Sequence, residues 1–145
     1  MGMVTVRQAT PDDATVLAGL LHRFDGMGAT PAQVAARMGA CQHVLTTFLG
    51  ELDGQPVGFA CLRLVPHLQG DEPYAELTDI FVDEAFRRCG VARALIAQVE
   101  AAAEAAGASD VVIITGSDNT VAQAAYRAAG YVAWAVAMGK PSPDE

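Results

Sequence analysis

Tyr74-Ala75-Glu76-Leu77-Thr78-Asp79-Ile80-Phe81-Val82-Asp83-Glu84-Ala85-Phe86-Arg87-Arg88-Cys89-Gly90-Val91-Ala92-Arg93 decides how the rest of the chain is read. Its first nine residues are rich in β-branched, aromatic and apolar types, which predicts a strand over 74–82. Beyond it, Val91, Leu95, Val99 and Ala102 recur at helical intervals, so an amphipathic helix is predicted to end near Gly107. Between strand and helix lie an acidic turn, Asp83-Glu84, and a basic glycine loop. The helix start breaks a local rule. Helix N-termini carry partial positive charge and favour Asp or Glu, yet Arg87, Arg88 and Arg93 stand here. Those arginines belong to a chain with only nine basic residues and a net charge of -8. Free backbone N–H groups, a glycine and converging arginines suit an anion such as phosphate. A solvated loop whose arginines pair with Asp83 and Glu84 is the other reading that composition leaves open.

Working outward, 145 residues suffice for one domain, and 52% hydrophobic against 18% charged residues predicts a packed core rather than disorder. An acidic chain lacks the basic stripe of a nucleic-acid surface, and its charge tilts toward a cationic substrate. No apolar run nears the ~20 residues of a membrane span, and no basic-then-apolar leader opens the chain, so neither a membrane nor an export route is expected. Cys41, Cys61 and Cys89 show no paired spacing and are expected as reduced thiols in the cytoplasm. His22, His43 and His67 are scattered, and no metal site is expected.

In order, Val4–Arg7 reads as a strand, and Thr10-Pro11-Asp12-Asp13 as a helix start with Thr10 as cap. That helix presents Val16, Leu17, Leu20, Leu21 and Phe24, then breaks at residues 25–29. The same grammar at Thr30-Pro31-Ala32-Gln33 predicts a short helix to Arg37 or Met38. Strands follow over 43–51 and 55–65, joined by the hairpin signal Asp53-Gly54, with a second connection over 66–73. Val111–Ile114 suits a buried parallel strand, and Asp118-Asn119 caps a helix to Ala129 with Gly130 as its stop. Residues 131–138 are expected as a last strand, and 139–145 as a frayed tail outside a single domain over 1–138.

Arg87-x-x-Gly90-x-Ala92, after a strand ending in Phe81-Val82, resembles the Gln/Arg-x-x-Gly-x-Gly/Ala signature of the GCN5-related N-acetyltransferase (GNAT) superfamily. Asn119-x-x-Ala122-x-x-x-Tyr126-x-x-x-Gly130-Tyr131 is similar to a second superfamily pattern. The resemblance implies an α/β (α+β) fold, a mixed and mostly antiparallel sheet flanked by helices, around a central β-α-β-α-β unit that binds acetyl-CoA. It implies that Arg87, Arg88, Cys89, Gly90, Val91, Ala92 and Arg93 wrap the pyrophosphate. Ile80, Phe81 and Val82 would pair with the pantetheine arm through backbone, and Asn119 and Tyr126 would complete the cofactor site. Tyr126 would protonate the departing thiolate. Glu76 and Asp79 both match positions where the superfamily carries a functional carboxylate. Strand alternation places them on opposite faces unless a bulge intervenes, and either one, or a water relay, is open as the base. Cys89 invites a nucleophile reading from its place at a helix start, but the superfamily transfers acetyl directly. The acceptor walls are expected from the 24–31 and 66–73 loops and the last strand.

The implied activity is acetyl-CoA-dependent N-acetylation of a primary amine on a small molecule or peptide. The alternative is a non-catalytic acyl-CoA-binding module acting through a protein partner. The superfamily often ends in two strands where this chain has residues for one, so a homodimer that completes the sheet edge is an expectation for sedimentation to test.

Overall fold

Four antiparallel strands and a short parallel fifth form a sheet in the order β1-β2-β3-β4-β5. They are β1 (Val4–Gln8), β2 (Leu45–Leu52), β3 (Gln55–Val65), β4 (Tyr74–Val82) and β5 (Val111–Ile113). The helices are α1 (Ala14–Asp25), α2 (Pro31–Cys41), α3 (Val91–Ala105) and α4 (Thr120–Ala128). The computed structural model describes residues 2–26 and 28–144. Met27, within the expected break at 25–29, lies outside them, as do Met1 and Glu145. The chain forms two compact units, one through Ile113 and one from Ile114 onward.

Local chemistry accounts for most boundaries. Asp53 and Gly54 both have positive φ, 52° and 82°, the hairpin geometry whose twist suits flanking strands. At Thr30 the capping box closes in both directions. Gln33 N donates to Thr30 Oγ1 at 3.1 Å, and Thr30 N donates to Gln33 Oε1 at 3.0 Å. The Thr10 start behaves differently, giving one 3-10 turn over Pro11–Asp13 before α1 begins. There Thr10 N donates to Asp13 Oδ2 at 2.8 Å. Arg7 also grips Asp13 and holds its carboxyl below the usual range.

Each face of the first unit's sheet is covered. Val91, Leu95, Val99 and Ala103 are the buried stripe of α3, so it continues to Ala103 rather than Ala102. A Cβ at Gly50 would stand 2.6 Å from Val91 Cγ1, so α3 lies directly on β2 there. Toward α1 and α2, the buried cluster joins Leu17, Leu20 and Val34 to Leu49, Phe59, Cys61 and Phe81. Leu20, Leu49, Leu77 and Leu95 are fully buried, each worth about 1.5–3 kcal/mol of apolar transfer. Phe24 closes the α1 side, 5.3 Å from Phe81 and 5.9 Å from Phe59 between ring centroids.

α2 and β2 differ from their predicted bounds, and one predicted strand is absent. α2 runs to Cys41, since nothing breaks it at Met38. β2 starts at Leu45 because Val44 N donates back to Cys41 O in a turn. The strand expected over 131–138 does not form. A strand is a ladder of paired N–H and C=O groups. The apolar alternation of Val132, Trp134, Val136 and Met138 supplies no such ladder, and all four side chains are exposed.

Candidate active site

Strand β4 carries the site, and one irregularity in it decides where the carboxylates point. Against β3, Asp79 stands opposite Cys61 while Leu77 stands opposite Leu62, so Thr78 is an extra residue with no partner. This is a β-bulge. Opposed residues of an antiparallel pair share a face. Glu76 opposes Arg63 and Asp79 opposes Cys61, and Arg63 and Cys61 are two residues apart. Glu76 and Asp79 therefore lie on the same face, which corrects the alternation over 76–79. The extra residue restores the phase.

The two carboxylates differ in what they meet. Glu76 is engaged by the Arg63 guanidinium. Asp79 is exposed and forms no ion pair among the described residues. It opens on a cavity of about 480 Å³ walled by α1, α2 and the sheet, including Leu17, Phe24, Val34, Phe59 and Cys61. Burial, and secondarily the Asp79 charge, push the Cys61 thiol up to about 11, so it is protonated and inert at neutral pH. Of the expected acceptor walls, Phe24 and Asp25 do line this cavity. The 66–73 loop instead lines a separate shallow pocket with Ser109.

Past Asp79 the edge of β4 opens. β5 pairs only with Ala75, Glu76 and Leu77. Within the first unit, Ile80, Phe81 and Val82 thus have strand β3 on one side and no strand on the other. The Phe81 ring is committed to Phe24 and Phe59, which leaves its backbone for any ligand. Such an edge accepts an extended amide-bearing chain as a further strand.

The turn into α3 is basic and holds two left-handed residues. Asp83 Oδ1 accepts from Ala85 N at 3.2 Å, and its other oxygen pairs with Arg23 at 2.9 Å. Arg87 Nε donates to Val82 O at 3.2 Å, tying the loop to the end of β4. Arg88 holds a left-handed φ of 65° and Gly90 one of 88°. For a residue other than glycine that conformation costs roughly 1 kcal/mol. Gly90 caps α3 without a side chain, and α3 has no acid in its first turn, so its leading N–H groups have no side-chain cap. A Cβ at Gly90 would meet no protein atom within 4 Å, so the space beside it is open for a ligand. Cys89 is exposed and its thiol donates to Arg87 O at 3.7 Å.

In the second unit, Asn119 Oδ1 accepts from Ala122 N at 3.2 Å and caps α4. Gln123, which the sequence reading passed over, clamps the preceding turn through Gly116 O and Ser117 O. Tyr126 is half-buried, with its ring 6.5 Å from that of Tyr131. Burial raises its phenol above the ordinary value, so it stays protonated further into the alkaline range. Glu76, Asp79, 80–82 and 87–93 thus come together in one unit, while Asn119 and Tyr126 belong to the other. Among the described residues no group of His, Cys, Asp and Glu is arranged to hold a metal ion.

Residues 23–131 match the family described as Acetyltransferase (GNAT) family. The chain belongs to that family. It is an acyltransferase that uses acetyl-CoA as co-substrate to N-acetylate an amine. Its similarity extends to the aminoglycoside N(6')-acetyltransferase type 1 of Stenotrophomonas maltophilia, 32% identical over 130 residues, 88% of this chain and 85% of that one. The protein of the same name from Salmonella typhimurium is 32% identical over 90 residues, covering 60% and 62% of the two chains. Among solved structures, AAC(6')-Iy bound to the bisubstrate analog CoA-S-monomethyl-acetylneamine superposes with a TM-score of 0.82 at 25% identity, over 97% of this chain and 98% of that one.

Proposed function

We propose that the chain N-acetylates a small-molecule primary amine held in the α1–α2 cavity, with Asp79 receiving the amine. The observation that carries this reading is a carboxylate without an ion pair among the described residues, opening on a cavity at the bend of β4. The relatives named as aminoglycoside N(6')-acetyltransferases support a small-molecule acceptor. In this reading acetyl-CoA lies with its pyrophosphate on 87–93 and its pantetheine amides along 80–82. The amine, bound as ammonium beside Asp79, loses a proton to that carboxylate directly or through water. Its lone pair then attacks the thioester carbonyl, and a backbone N–H near Val82 stabilises the oxyanion. Collapse breaks the C–S bond, Tyr126 protonates the CoA thiolate, and the second proton of the acetylated nitrogen passes through water to restore the Tyr126 phenol while Asp79 releases its own to solvent. Asn119 sets the start of the helix that carries Tyr126.

Thermal unfolding with acetyl-CoA tests the cofactor half. At a hundred times its dissociation constant the ligand adds about 2.7 kcal/mol, several degrees for a domain of this size. The wild type is expected to shift and a folded Gly90→Glu variant is not, since the new carboxylate fills the open space and repels phosphate. Equal shifts would move the pyrophosphate elsewhere. Tyr126→Phe tests the acid. We expect kcat to fall about a hundredfold with the KM for acetyl-CoA little changed. Because burial raises the phenol, wild-type activity should persist beyond the ordinary tyrosine range before falling as Tyr126 ionises. The phenylalanine variant should lose that alkaline limb. A non-catalytic binding module would show the thermal shift and no amine-dependent CoA release.

A further inference from the structure

The face of α2 that borders the cavity carries an exposed arginine. Val34, Arg37, Met38 and Cys41 recur at intervals of three, one and three, and all four line the cavity. The arginine of this set is exposed, beside the partly buried Met38 and Cys41. Carboxylates of the fold do not explain it. Arg7 pairs with Asp13 and Glu51, Arg23 with Asp83, and Arg63 with Glu76, whereas Arg37 has no ion pair among the described residues. Arg87, Arg88 and Arg93 belong to the turn into α3. The remaining charged side chains on the cavity wall, Asp25 and Asp79, are both acidic. The wall otherwise is mostly apolar, with Leu17, Leu21, Phe24, Leu45 and Phe59 contributing.

The cavity wall therefore carries one basic side chain, Arg37, and two acidic ones, Asp25 and Asp79. We infer that Arg37 is a specificity-determining residue that binds a carboxylate on the acceptor molecule, whose amine meets Asp79, so that the acceptor is a compact amino acid rather than a polycation. This rests on the reading of the cavity as the acceptor site. The planar guanidinium matches a carboxylate with two parallel hydrogen bonds, which fixes orientation as well as attraction. The same group repels a second ammonium, so it discriminates against polyamines and amino sugars. The net charge of -8 does not oppose this, because screening confines distant charges to a steering role beyond about 8–10 Å. A charge-assisted pair of this kind is worth roughly ten- to a hundredfold in affinity.

The test is acetyl-CoA-dependent CoA release over a panel of amino acids, each paired with its carboxamide, with kanamycin and spermidine alongside. Wild type, Arg37→Ala and Arg37→Lys are compared. Each variant is first checked for its acetyl-CoA thermal shift. The expected result is at least one pair in which the acid exceeds its amide tenfold or more in kcat/KM. Arg37→Ala should erase that preference through KM, leaving kcat and the amide rates within twofold. Arg37→Lys should keep part of it. A wild type that prefers amides or the two polycations overturns the inference, as does a preference that survives Arg37→Ala. Turnover of kanamycin with indifference at Arg37 sinks this inference alone. A folded wild type that binds acetyl-CoA and acetylates nothing in the panel removes the acceptor reading and this inference with it.

Discussion

Asp79→Asn is expected to lower kcat/KM for the acceptor by a factor of about 10² to 10³, while Glu76→Gln lowers it less than tenfold. The scale is that of removing a positioned proton acceptor. The difference between two carboxylates on one face comes from their partners. Glu76 is held by Arg63, so its oxygens are directed to a guanidinium. The Arg63 side chain is about half exposed, at 47%, and a solvent-screened pair of this sort contributes at most about 1 kcal/mol to stability. Losing it should leave fold and rate nearly intact. Asp79 has no ion pair among the described residues, and on the proposed mechanism replacing it removes both the charge that attracts the ammonium and the base. Steady-state kinetics of the two variants, with acetyl-CoA thermal shifts as a folding control, decide the matter. The opposite ranking would make Glu76 the base, with Arg63 as its modulator.

Gly58→Val should produce the largest loss of stability of any single glycine change in the sheet, about 3 kcal/mol or more. A Cβ on Gly58 would stand 2.5 Å from Phe81 O and 3.2 Å from Val82 Cα, both backbone atoms of the neighbouring central strand. Backbone cannot swing aside as a side-chain tip does, so β3 and β4 must separate, at the upper end of the cost of overpacking. Gly54→Ala is the contrast. It meets no atom within 4 Å and bears only the strain of a positive φ of 82°, about 1 kcal/mol. Urea unfolding of both variants measures the gap. Where Gly58→Val still folds, the displaced Phe81–Val82 backbone should raise the KM for acetyl-CoA, because those residues are the proposed pantetheine edge. A milder effect than that of Gly54→Ala would mean that β4 can slide past β3 at low cost.

What was legible in the sequence was local. The Asp53-Gly54 hairpin, the Thr30 box and the glycine stops at 107 and 130 each state their geometry within four residues, and φ is positive at all three glycines involved. The loop from Arg87 to Arg93 stood out because its arginines contradict the helix dipole, and its service as an anion site belongs to the proposed function. Properties fixed by pairing between distant segments were not. The bulge at Thr78 appears only when β4 is laid against β3, because period-two alternation says nothing about where a strand carries an unpaired residue. The engagement of Glu76 by Arg63 needs the same register. The helix predicted to end at Arg37 or Met38 continues to Cys41, and that Arg37 borders the cavity follows from how α2 packs beside the sheet, which its own sequence does not state. For 131–138 the apolar alternation was read correctly as a pattern, but pattern is not pairing.

The bulge also changes how β4 tolerates a change of length. In a strictly alternating strand, deleting one residue inverts every side chain on one side of the cut, sending apolar groups to water and charges to the core. Here Thr78 is surplus to the alternation. With it removed, Leu77 keeps its buried place, and Asp79, Ile80, Phe81 and Val82 keep their faces, since each half of the strand is already in phase with the other. A deletion at any of the four positions after it would cost a named side chain of the site or its edge. A single-residue loss at position 78 would thus leave Asp79 on the cavity and the 80–82 edge in phase.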